Sequence, residues 1–319
     1  MNGILHHSAW YINMAIAILI NMSITNENVF KSRIAPTPSG YLHIGNIFSF
    51  VLTWIITRQN KGSLLLRIDD MDHQRVERRY VENIFKTLDW LKIDYDQGPG
   101  GVSDFITNFT QKSRREIYCK GLDEILSREG TYFYCSCSRK QIKQTSMDGL
   151  YPGTCRNISN YQQNSSIRVN TLRHPFVIFQ DKLKGKVSID LEKSIRDFVI
   201  WKKDDNPAYQ LTSLMDDLHY GINCVIRGND LIDSTAAQIF LGEIMGRHEF
   251  KNSSFLHHNL IMNKGQKLSK SQKSNSILEE FISPKHVYIY IGKLLGMPAI
   301  QCESLHTMQE NFKLEIDDN

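Results

Sequence analysis

The chain contains 319 residues, of which 41% are hydrophobic and 23% are charged. These ordinary values indicate a folded protein long enough for a packed core, and they exclude a disordered, collagenous or multi-span membrane chain. The formal net charge of +4 permits an RNA partner but does not require one.

Residues 1–28 are predicted to be an extension that is disordered or precedes the true start, because Met14 and Met22 could each be the first residue. The apolar run at 9–22 is shorter than the roughly 18–20 residues needed to cross a bilayer. It also lacks the basic start and the small-residue cleavage site of a secretory signal. A weak membrane-associating segment is the alternative interpretation.

The six cysteines are too few and too scattered for a disulfide scaffold, so we expect a cytoplasmic protein without a membrane partner.

The segment that follows, residues 29–130, alternates between strand and helix patterns. Apolar residues recur at helical spacing in some stretches and form short apolar runs bounded by Gly and Pro in others. The predicted elements are a strand at residues 29–35, a helix at 43–58, a strand at 63–68 and helices at 76–91 and 113–128. This order predicts a parallel α/β sheet.

After residue 130 an aromatic strand leads into a polar stretch rich in Gly, Ser and Asn, so we expect an inserted unit at 131–175. Residues 176–271 are predicted to complete the sheet, and 272–319 to form a short tail with one helix and a polar end. The elements predicted in this half are strands at 176–179, 198–201 and 224–226, a helix at 234–245, an apolar run at 255–262 and a helix at 286–295.

The segment RIAPTPSGYLHIGN, residues 33–46, joins the first strand to the first helix through a proline-stiffened loop. A helix start offers unpaired backbone N–H groups and the positive end of the helix dipole, so it favours an anion. Gly45 permits a close backbone approach, and His43 adds a donor for phosphate oxygens. Taken alone, His43 is better explained as a buried histidine at a helix start.

The segment KLSKS, residues 267–271, is a loop flanked by further lysines that would ordinarily form a solvated turn. Together with the first segment, in this order, it resembles the two ATP motifs of class I aminoacyl-tRNA synthetases. The first segment is similar to the glutamyl branch, whose pattern is Arg-x-Ala-Pro-Ser-Pro-Thr-Gly-x-Leu-His-x-Gly. The segments LLLRIDDMD and NPAYQLTSLMDDLHYGINCVIRGNDLIDST resemble the second strand and the substrate pocket of that branch.

The length of the chain distinguishes between members of this branch. Full glutamyl-tRNA synthetases carry a long helical anticodon-binding region after the lysine loop, and only 48 residues follow it here. In its length and in the wording AYQL…VIRGNDLIDST, the chain resembles glutamyl-queuosine tRNA(Asp) synthetases, which attach glutamate to queuosine in the anticodon loop of tRNA(Asp). A truncated glutamyl-tRNA synthetase that charges the 3′ end of tRNA(Glu) is the alternative. A nucleotidyltransferase of the same superfamily and a non-catalytic RNA-binding paralogue are weaker alternatives.

The resemblance implies a fold and two substrate sets. The fold is a class I Rossmann-like parallel sheet in two halves, 29–130 and 176–271, with a zinc-bearing insertion between them and a short helical tail. The resemblance implies ATP binding with Mg²⁺, and L-glutamate as the amino acid. The residues implied for ATP are His43, Gly45, Asn46, Lys267 and Lys270, of which His43 and Lys270 are the catalytic candidates. The residues implied for glutamate are Arg33, Ala35, Thr37, Asp69, Tyr209 and Arg227.

Two of the glutamate-binding residues leave alternatives open. A guanidinium suits a carboxylate because it can bind it bidentately, but Arg227 could instead form a surface ion pair with Asp230 or Asp233. Asp69 is expected to receive the substrate ammonium group. The family usually has Glu at that position, and the shorter side chain resembles the glutaminyl branch, which leaves the choice between glutamate and glutamine open.

A metal site is implied by the family pattern Cys-x-Cys…Tyr-x-x-x-Cys, which the chain matches at Cys135, Cys137, Tyr151 and Cys155. Zinc favours thiolates in tetrahedral geometry, and a structural ion would hold a loop-rich insertion together. Tyrosine is an unusual ligand, so His174 is an alternative fourth ligand. The cysteines could also be free, with the metal lost.

The RNA partner implied is tRNA(Asp) containing queuosine, bound by a chain that we expect to be a monomer. Basic side chains could contact its phosphates, although each could equally belong to a solvated surface. The candidates are Arg75, Arg78, Arg79, Lys112, Arg114, Arg115 and the lysine loop.

Overall fold

The computed structural model describes residues 29–72, 76–161, 163–261 and 276–313, together with the backbone of 262–263 and 266–267. The strands are β1 (Lys31–Ile34), β2 (Ser63–Leu66), β3 (Tyr132–Cys135), β4 (Ser166–Val169), β5 (Phe176–Asp181), β6 (Gly185–Asp190), β7 (Val199–Trp201), β8 (Cys224–Gly228), β9 (Ser254–His258), β10 (Met262–Asn263) and β11 (Gln266–Lys267). The helices are α1 (Ile44–Gln59), α2 (Arg78–Trp90), α3 (Val102–Asp104), α4 (Arg115–Leu126), α5 (Arg139–Thr145), α6 (Leu191–Ser194), α7 (Tyr209–His219), α8 (Ile232–Met245), α9 (Ile277–Glu280), α10 (Pro284–Leu294) and α11 (Leu305–Asn311).

The central layer is formed by two groups of strands that lie side by side. β1 pairs with β2 in parallel, and a second sheet has the order β6-β5-β9-β8, in which β5, β9 and β8 are parallel and β6 is antiparallel. β1 lies alongside β8, where the Ser32 hydroxyl donates to the Cys224 carbonyl at 2.9 Å. The predicted parallel α/β sheet is confirmed, with the antiparallel hairpin β5–β6 at one edge.

Helices cover both faces of this layer and bury two apolar cores. One core packs α1, α2 and α10 against the sheet, with Ile47, Val51 and Ile55 of α1 fully buried. The other packs α4, α7 and α8 against the opposite face. Parallel strands covered on both sides read as continuous apolar runs, which is why SLLLRI of β2 was predictable as a strand.

The insertion forms a sheet together with β7, which lies within 176–271 and was expected to belong to the main sheet. β3, β4 and β7 form an antiparallel sheet, and a small third core of Phe133, Cys135, Tyr151 and Cys155 lies beside it. The polar stretch of this loop-rich insertion contains the short helix α5, whose first turn is capped by Ser138. β4 and β6 were not predicted, although SIRV and KVSID alternate polar and apolar residues.

The C-terminal tail differs from its prediction. α10 matches the predicted helix within two residues at each end. The segment after it was expected to be polar. Instead, Leu305 and Met308 of α11, together with Phe312, are buried in the first core. Within the described residues, none of the helices has the length and apolarity that a membrane span requires.

Candidate active site

A cavity of about 420 Å³ opens at the carboxyl ends of β1, β2 and β8 and at the start of α1. Ligands of open α/β sheets bind at this kind of position, where the connections from neighbouring strands diverge to opposite sides. The backbone N–H of Arg67 donates to Ile34 O, and that of Asp69 donates to Pro36 O, both at 2.9 Å. These bonds continue the pairing of β1 and β2 into the two loops, so the cavity wall is fixed by the sheet.

Nearly all of the predicted substrate residues line this one cavity. Members of both substrate sets meet there, although up to 194 positions separate them in the sequence. The lining residues that were predicted are Arg33, Ala35, Thr37, His43, Gly45, Asn46, Asp69, Tyr209 and Arg227. Lys270 lies outside the described residues, and of Lys267 only the backbone in β11 is described. The described residues of both predicted sets therefore share a single site.

His43 is the N-cap of α1. Its Nδ1 accepts from the backbone N–H of Gly45 at 3.1 Å, and the Asn46 side chain accepts from the His43 backbone N–H at 3.2 Å, which closes a capping box. Because Nδ1 accepts, the neutral ring carries its proton on Nε2. A Cβ on Gly45 would lie 3.0 Å from Cε1 of His43, so even alanine there would push the ring aside. The capping contacts thus hold the His43 ring at the start of α1 with its Nε2–H as a hydrogen-bond donor.

Three arginines face the cavity, and two of them are neutralised by buried carboxylates. Asp217 Oδ1 accepts from Arg33 Nε at 3.0 Å and from Arg67 Nη1 at 2.6 Å. Burial alone would raise the pKa of Asp217, but Arg33 and Arg67 outweigh it and lower that pKa. Asp69 accepts from Arg67 Nε at 2.7 Å and from Nη2 at 3.0 Å.

The pKa of Asp69 is shifted in the opposite direction to that of Asp217. Burial of Asp69 raises its pKa even though Arg67 opposes the shift. Burial would also lower the pKa of Arg67, but Asp69, Asp217 and Asp216 hold it well above the usual value. Arg67 therefore anchors the carboxylate that the sequence assigns to the substrate ammonium group.

Arg227 is the third arginine, and its surroundings are different. It is 5% exposed, and its hydrogen-bond acceptors are neutral: Thr235 Oγ1, at 3.2 Å from Nε and 2.5 Å from Nη2, and Gln238 Oε1, at 2.9 Å from Nη2. Among the described residues it has no carboxylate ion pair, and its Nη1 is buried without a hydrogen-bond partner. The surface pair with Asp230 or Asp233 is therefore wrong.

Arg227 keeps its positive charge although it is buried. Burial lowers its pKa to about 10, and the electrostatic effects of nearby Tyr209 and Asp217 oppose the shift. A group with that pKa is still charged at neutral pH. The cavity thus contains a buried cation that forms no ion pair with a described carboxylate, although the charge of Asp217 acts on it from beyond contact distance.

Several residues of the site were missed by the sequence analysis as functional residues. Arg67, Ser49 and His258 line the cavity, and His258 Nε2 lies 2.6 Å from the Ser49 hydroxyl. The carboxylates of Asp216 and Asp217, on α7, support the wall of the cavity. Arg67 lies inside the segment LLLRIDDMD that carried the resemblance, so its place before two aspartates was an available signal. A single sequence gave no such signal for the others.

The metal-site prediction brings together three cysteines. The Sγ atoms of Cys135, Cys137 and Cys155 lie within 4.8 Å of one another, and those of Cys137 and Cys155 are 3.6 Å apart. Two sulfurs of a tetrahedral zinc site are about 3.8 Å apart, given Zn–S bonds of about 2.3 Å. The group could therefore hold a metal ion. His174, the alternative fourth ligand, is exposed and is not part of this group.

Tyr151, the fourth residue of the family pattern, lies beside the cysteines. Its hydroxyl accepts from the backbone N–H of Cys155 at 2.8 Å. The guanidinium of Arg168 lies 4.0 Å from the centre of the Tyr151 ring. Burial would raise the pKa of Cys135, but hydrogen bonds from Tyr151 and Arg168 lower it. The donors and the nearby cation suit a metal held by thiolates.

The basic residues proposed for RNA divide into two groups. Arg114 is buried and donates to Asp216 from Nε at 2.7 Å and from Nη2 at 3.0 Å, so its prediction as an RNA contact is wrong. Arg78 and Arg79 are exposed and Arg115 is half-buried, and all three are paired with acidic neighbours. Lys112 is exposed, and Arg75 lies outside the described residues.

Comparisons with known proteins agree with this geometry. The model of tRNA synthetases class I (E and Q), catalytic domain, matches residues 29–316. The chain is 34% identical over 262 residues to a glutamyl-Q tRNA(Asp) synthetase of Pseudomonas entomophila, covering 81% of this chain and 83% of that protein. It is 32% identical over 309 residues to a glutamate–tRNA ligase of Sulfurihydrogenibium, covering 90% of this chain and 63% of that protein. A crystal structure of a glutamate–tRNA synthetase from Elizabethkingia anophelis shares the fold, with a TM-score of 0.74 at 24% identity over 92% of this chain and 67% of that chain.

Proposed function

Because the chain belongs to the class I tRNA synthetases (E and Q), and within them to the glutamyl-Q tRNA(Asp) synthetase family, we propose that it activates glutamate with ATP and transfers the glutamyl group to queuosine in the anticodon loop of tRNA(Asp). The protein acts as a monomer in the cytoplasm, where its thiols stay reduced. The observation that carries the proposal is Arg227, a buried cation with no carboxylate partner among the described residues, in the same cavity as a capped helix start.

In the first step, the α-carboxylate of glutamate attacks the α-phosphorus of ATP, and pyrophosphate leaves. The nucleophile is already ionised, so catalysis requires positioning and stabilisation of phosphate charge rather than a general base. His43 donates from Nε2 to a phosphate oxygen, and the N–H groups at the start of α1 add their dipole. Lys270, assisted by Lys267, is assigned to the same phosphates. Mg²⁺ bound to ATP supplies further charge neutralisation.

The amino acid lies between the charged side chains of the cavity. Arg227 binds the side-chain carboxylate of glutamate, with Arg33, Tyr209 and the wall at Ala35 and Thr37 around it. Asp69, held in place by Arg67, receives the ammonium group. Glutamine would leave the charge of Arg227 unpaired in a buried position, so this arrangement favours glutamate in spite of the shorter side chain at position 69.

The metal proposed for the cysteine cluster is zinc, in a structural role. Cys135, Cys137, Cys155 and Tyr151 would hold it, and the ion would fix the loop-rich insertion beside β3.

The function is tested by the transfer of radiolabelled glutamate, with ATP and Mg²⁺, to tRNA that contains or lacks queuosine. Nuclease digestion then locates the label. We expect label only in the anticodon fragment of queuosine-containing tRNA(Asp), and a large excess of unlabelled glutamine should not reduce it. Label on the 3′-terminal adenosine of tRNA(Glu) would instead identify a charging enzyme, for which the 32% identity to a glutamate–tRNA ligase is the supporting observation. The absence of both label and pyrophosphate exchange would favour a non-catalytic RNA-binding protein.

The zinc assignment makes a separate prediction. The purified protein should contain about one zinc ion per chain, and Cys137→Ser should lose most of it and become sensitive to protease within 131–175, because the ion stabilises the insertion. Elemental analysis and limited proteolysis measure both effects. Cys119→Ser is the matched control, since Cys119 lies on α4 outside the cluster. Equal zinc content in the two variants would contradict the assignment.

A further inference from the structure

A chain of buried polar side chains leads from the cavity into the molecule, behind Arg227. Thr235 Oγ1, which accepts from Arg227, lies 2.6 Å from Nε2 of His257, and Nδ1 of His257 lies 2.7 Å from Oδ2 of Asp181. Asp181 and His257 are 1% exposed and Thr235 is fully buried. The residues come from β5, β9 and α8, so the tertiary fold assembles the chain.

The direction of each hydrogen bond follows from the donors and acceptors. The carboxylate of Asp181 can only accept, so Nδ1 of His257 carries a proton. Burial lowers the pKa of His257 despite the bond to Asp181, so the ring is neutral and its Nε2 is an acceptor. The Thr235 hydroxyl therefore donates to Nε2 at 2.6 Å, with the Leu231 carbonyl a more distant acceptor at 3.3 Å, and its oxygen accepts from Nε and Nη2 of Arg227.

Asp181 is itself held firmly. Its Oδ1 accepts from the backbone N–H groups of Leu183 and Lys184 at 2.9 and 3.0 Å, and its Oδ2 also accepts from the His257 backbone N–H at 3.0 Å. The far end of the chain is thus anchored to the backbone at the end of β5.

We propose that Asp181, His257 and Thr235 form a positioning relay that holds the guanidinium of Arg227 in the cavity with neutral acceptors and so keeps its charge available for a substrate carboxylate. A carboxylate in the place of Thr235 would also hold Arg227, but it would neutralise it, as Asp217 does for Arg33. The relay places the negative charge of Asp181 two side chains away from Arg227. This inference rests on the proposed function and adds the residues that set its amino-acid specificity.

The test uses the full-length protein in pyrophosphate exchange dependent on glutamate. Thr235→Val removes the hydroxyl but keeps the shape, and we expect it to raise KM for glutamate by about tenfold with KM for ATP unchanged within about twofold. Thr235→Ser keeps the hydroxyl and should stay within about threefold of the wild type. The preference for glutamate over glutamine should fall in Thr235→Val and persist in Thr235→Ser.

Thr57→Val is the matched control, because Thr57 is also fully buried in a helix and its hydroxyl bonds only the carbonyl of Thr53. It should lower the melting temperature about as much as Thr235→Val without changing KM for glutamate. If Thr235→Val does not fold, Thr235→Ala replaces it, since alanine adds no methyl group in a new position.

The relay would be overturned by an unchanged KM for glutamate in Thr235→Val, by a serine variant as impaired as the valine variant, or by the same KM increase in Thr57→Val. A failure of the proposed function looks different, because the wild-type protein would then show no exchange that depends on glutamate.

Discussion

Replacing Arg227 with glutamine is expected to lower kcat/KM for glutamate in pyrophosphate exchange by about 10²–10³-fold, with KM for ATP changed by no more than about twofold. Glutamine extends only as far as Nε of Arg227, so it can still donate to Thr235, while the contact of Nη2 with Gln238 is lost together with the positive charge. A substrate carboxylate would then be buried without its cation, which costs about 3–4 kcal/mol of binding free energy.

Arg227→Lys separates charge from geometry. Lysine keeps a positive charge but offers no planar fork, so it should recover only part of the lost activity. Arg247→Gln is the control, because Arg247 forms an ion pair with Glu124 outside the cavity and should have nearly wild-type kinetics. A glutamate KM for Arg227→Gln within about threefold of the wild type would place the carboxylate elsewhere, since about 0.7 kcal/mol is less than one buried charged contact contributes.

The part of the site that was predictable comes from a continuous segment. In RIAPTPSGYLHIGN the strand end, the proline loop and the helix start are adjacent in sequence, so their chemistry could be inferred from local rules. The structure places α1 at Ile44–Gln59, one residue from each end of the predicted helix, and makes His43 its cap. The residues assigned to glutamate were found through family resemblance, because no local rule connects Arg33 with Arg227.

The supporting charges could not be predicted in the same way. Asp216 and Asp217 stand in YQLTSLMDDLH, where a charged pair ordinarily indicates the solvent face of a helix. They are fully buried because they pair with arginines from distant parts of the sequence. Arg33 is 184 positions from Asp217, and Arg114 is 102 positions from Asp216. For the same reason Arg114 was assigned to a surface that it does not occupy. Pairing over such separations is a property of the tertiary fold and leaves no periodic trace in one sequence.

Asp217→Asn is expected to lower the free energy of unfolding by about 3–5 kcal/mol, because it removes the carboxylate that two buried guanidinium groups share. Arg33 and Arg67 donate to the same oxygen of Asp217, at 3.0 and 2.6 Å, and all three side chains are at most 5% exposed. Urea unfolding at pH 7 measures the loss. Asp205→Asn is the matched control: its carboxylate pairs with Arg115 but is 79% exposed, so the change should cost less than about 1 kcal/mol.

The pH dependence of this loss identifies its origin. The pKa of Asp217 is lowered in the folded protein, so the carboxylate stabilises the fold at pH values above its unfolded pKa, near the ordinary value of 3.8, and that contribution disappears as the pH falls through the folded pKa. The difference between the wild type and Asp217→Asn should therefore be constant from about pH 5 to pH 8 and shrink below about pH 4. A difference that persists undiminished at pH 3, or one no larger than that of Asp205→Asn, would mean that packing around α7 and not the shared charge stabilises this wall of the cavity.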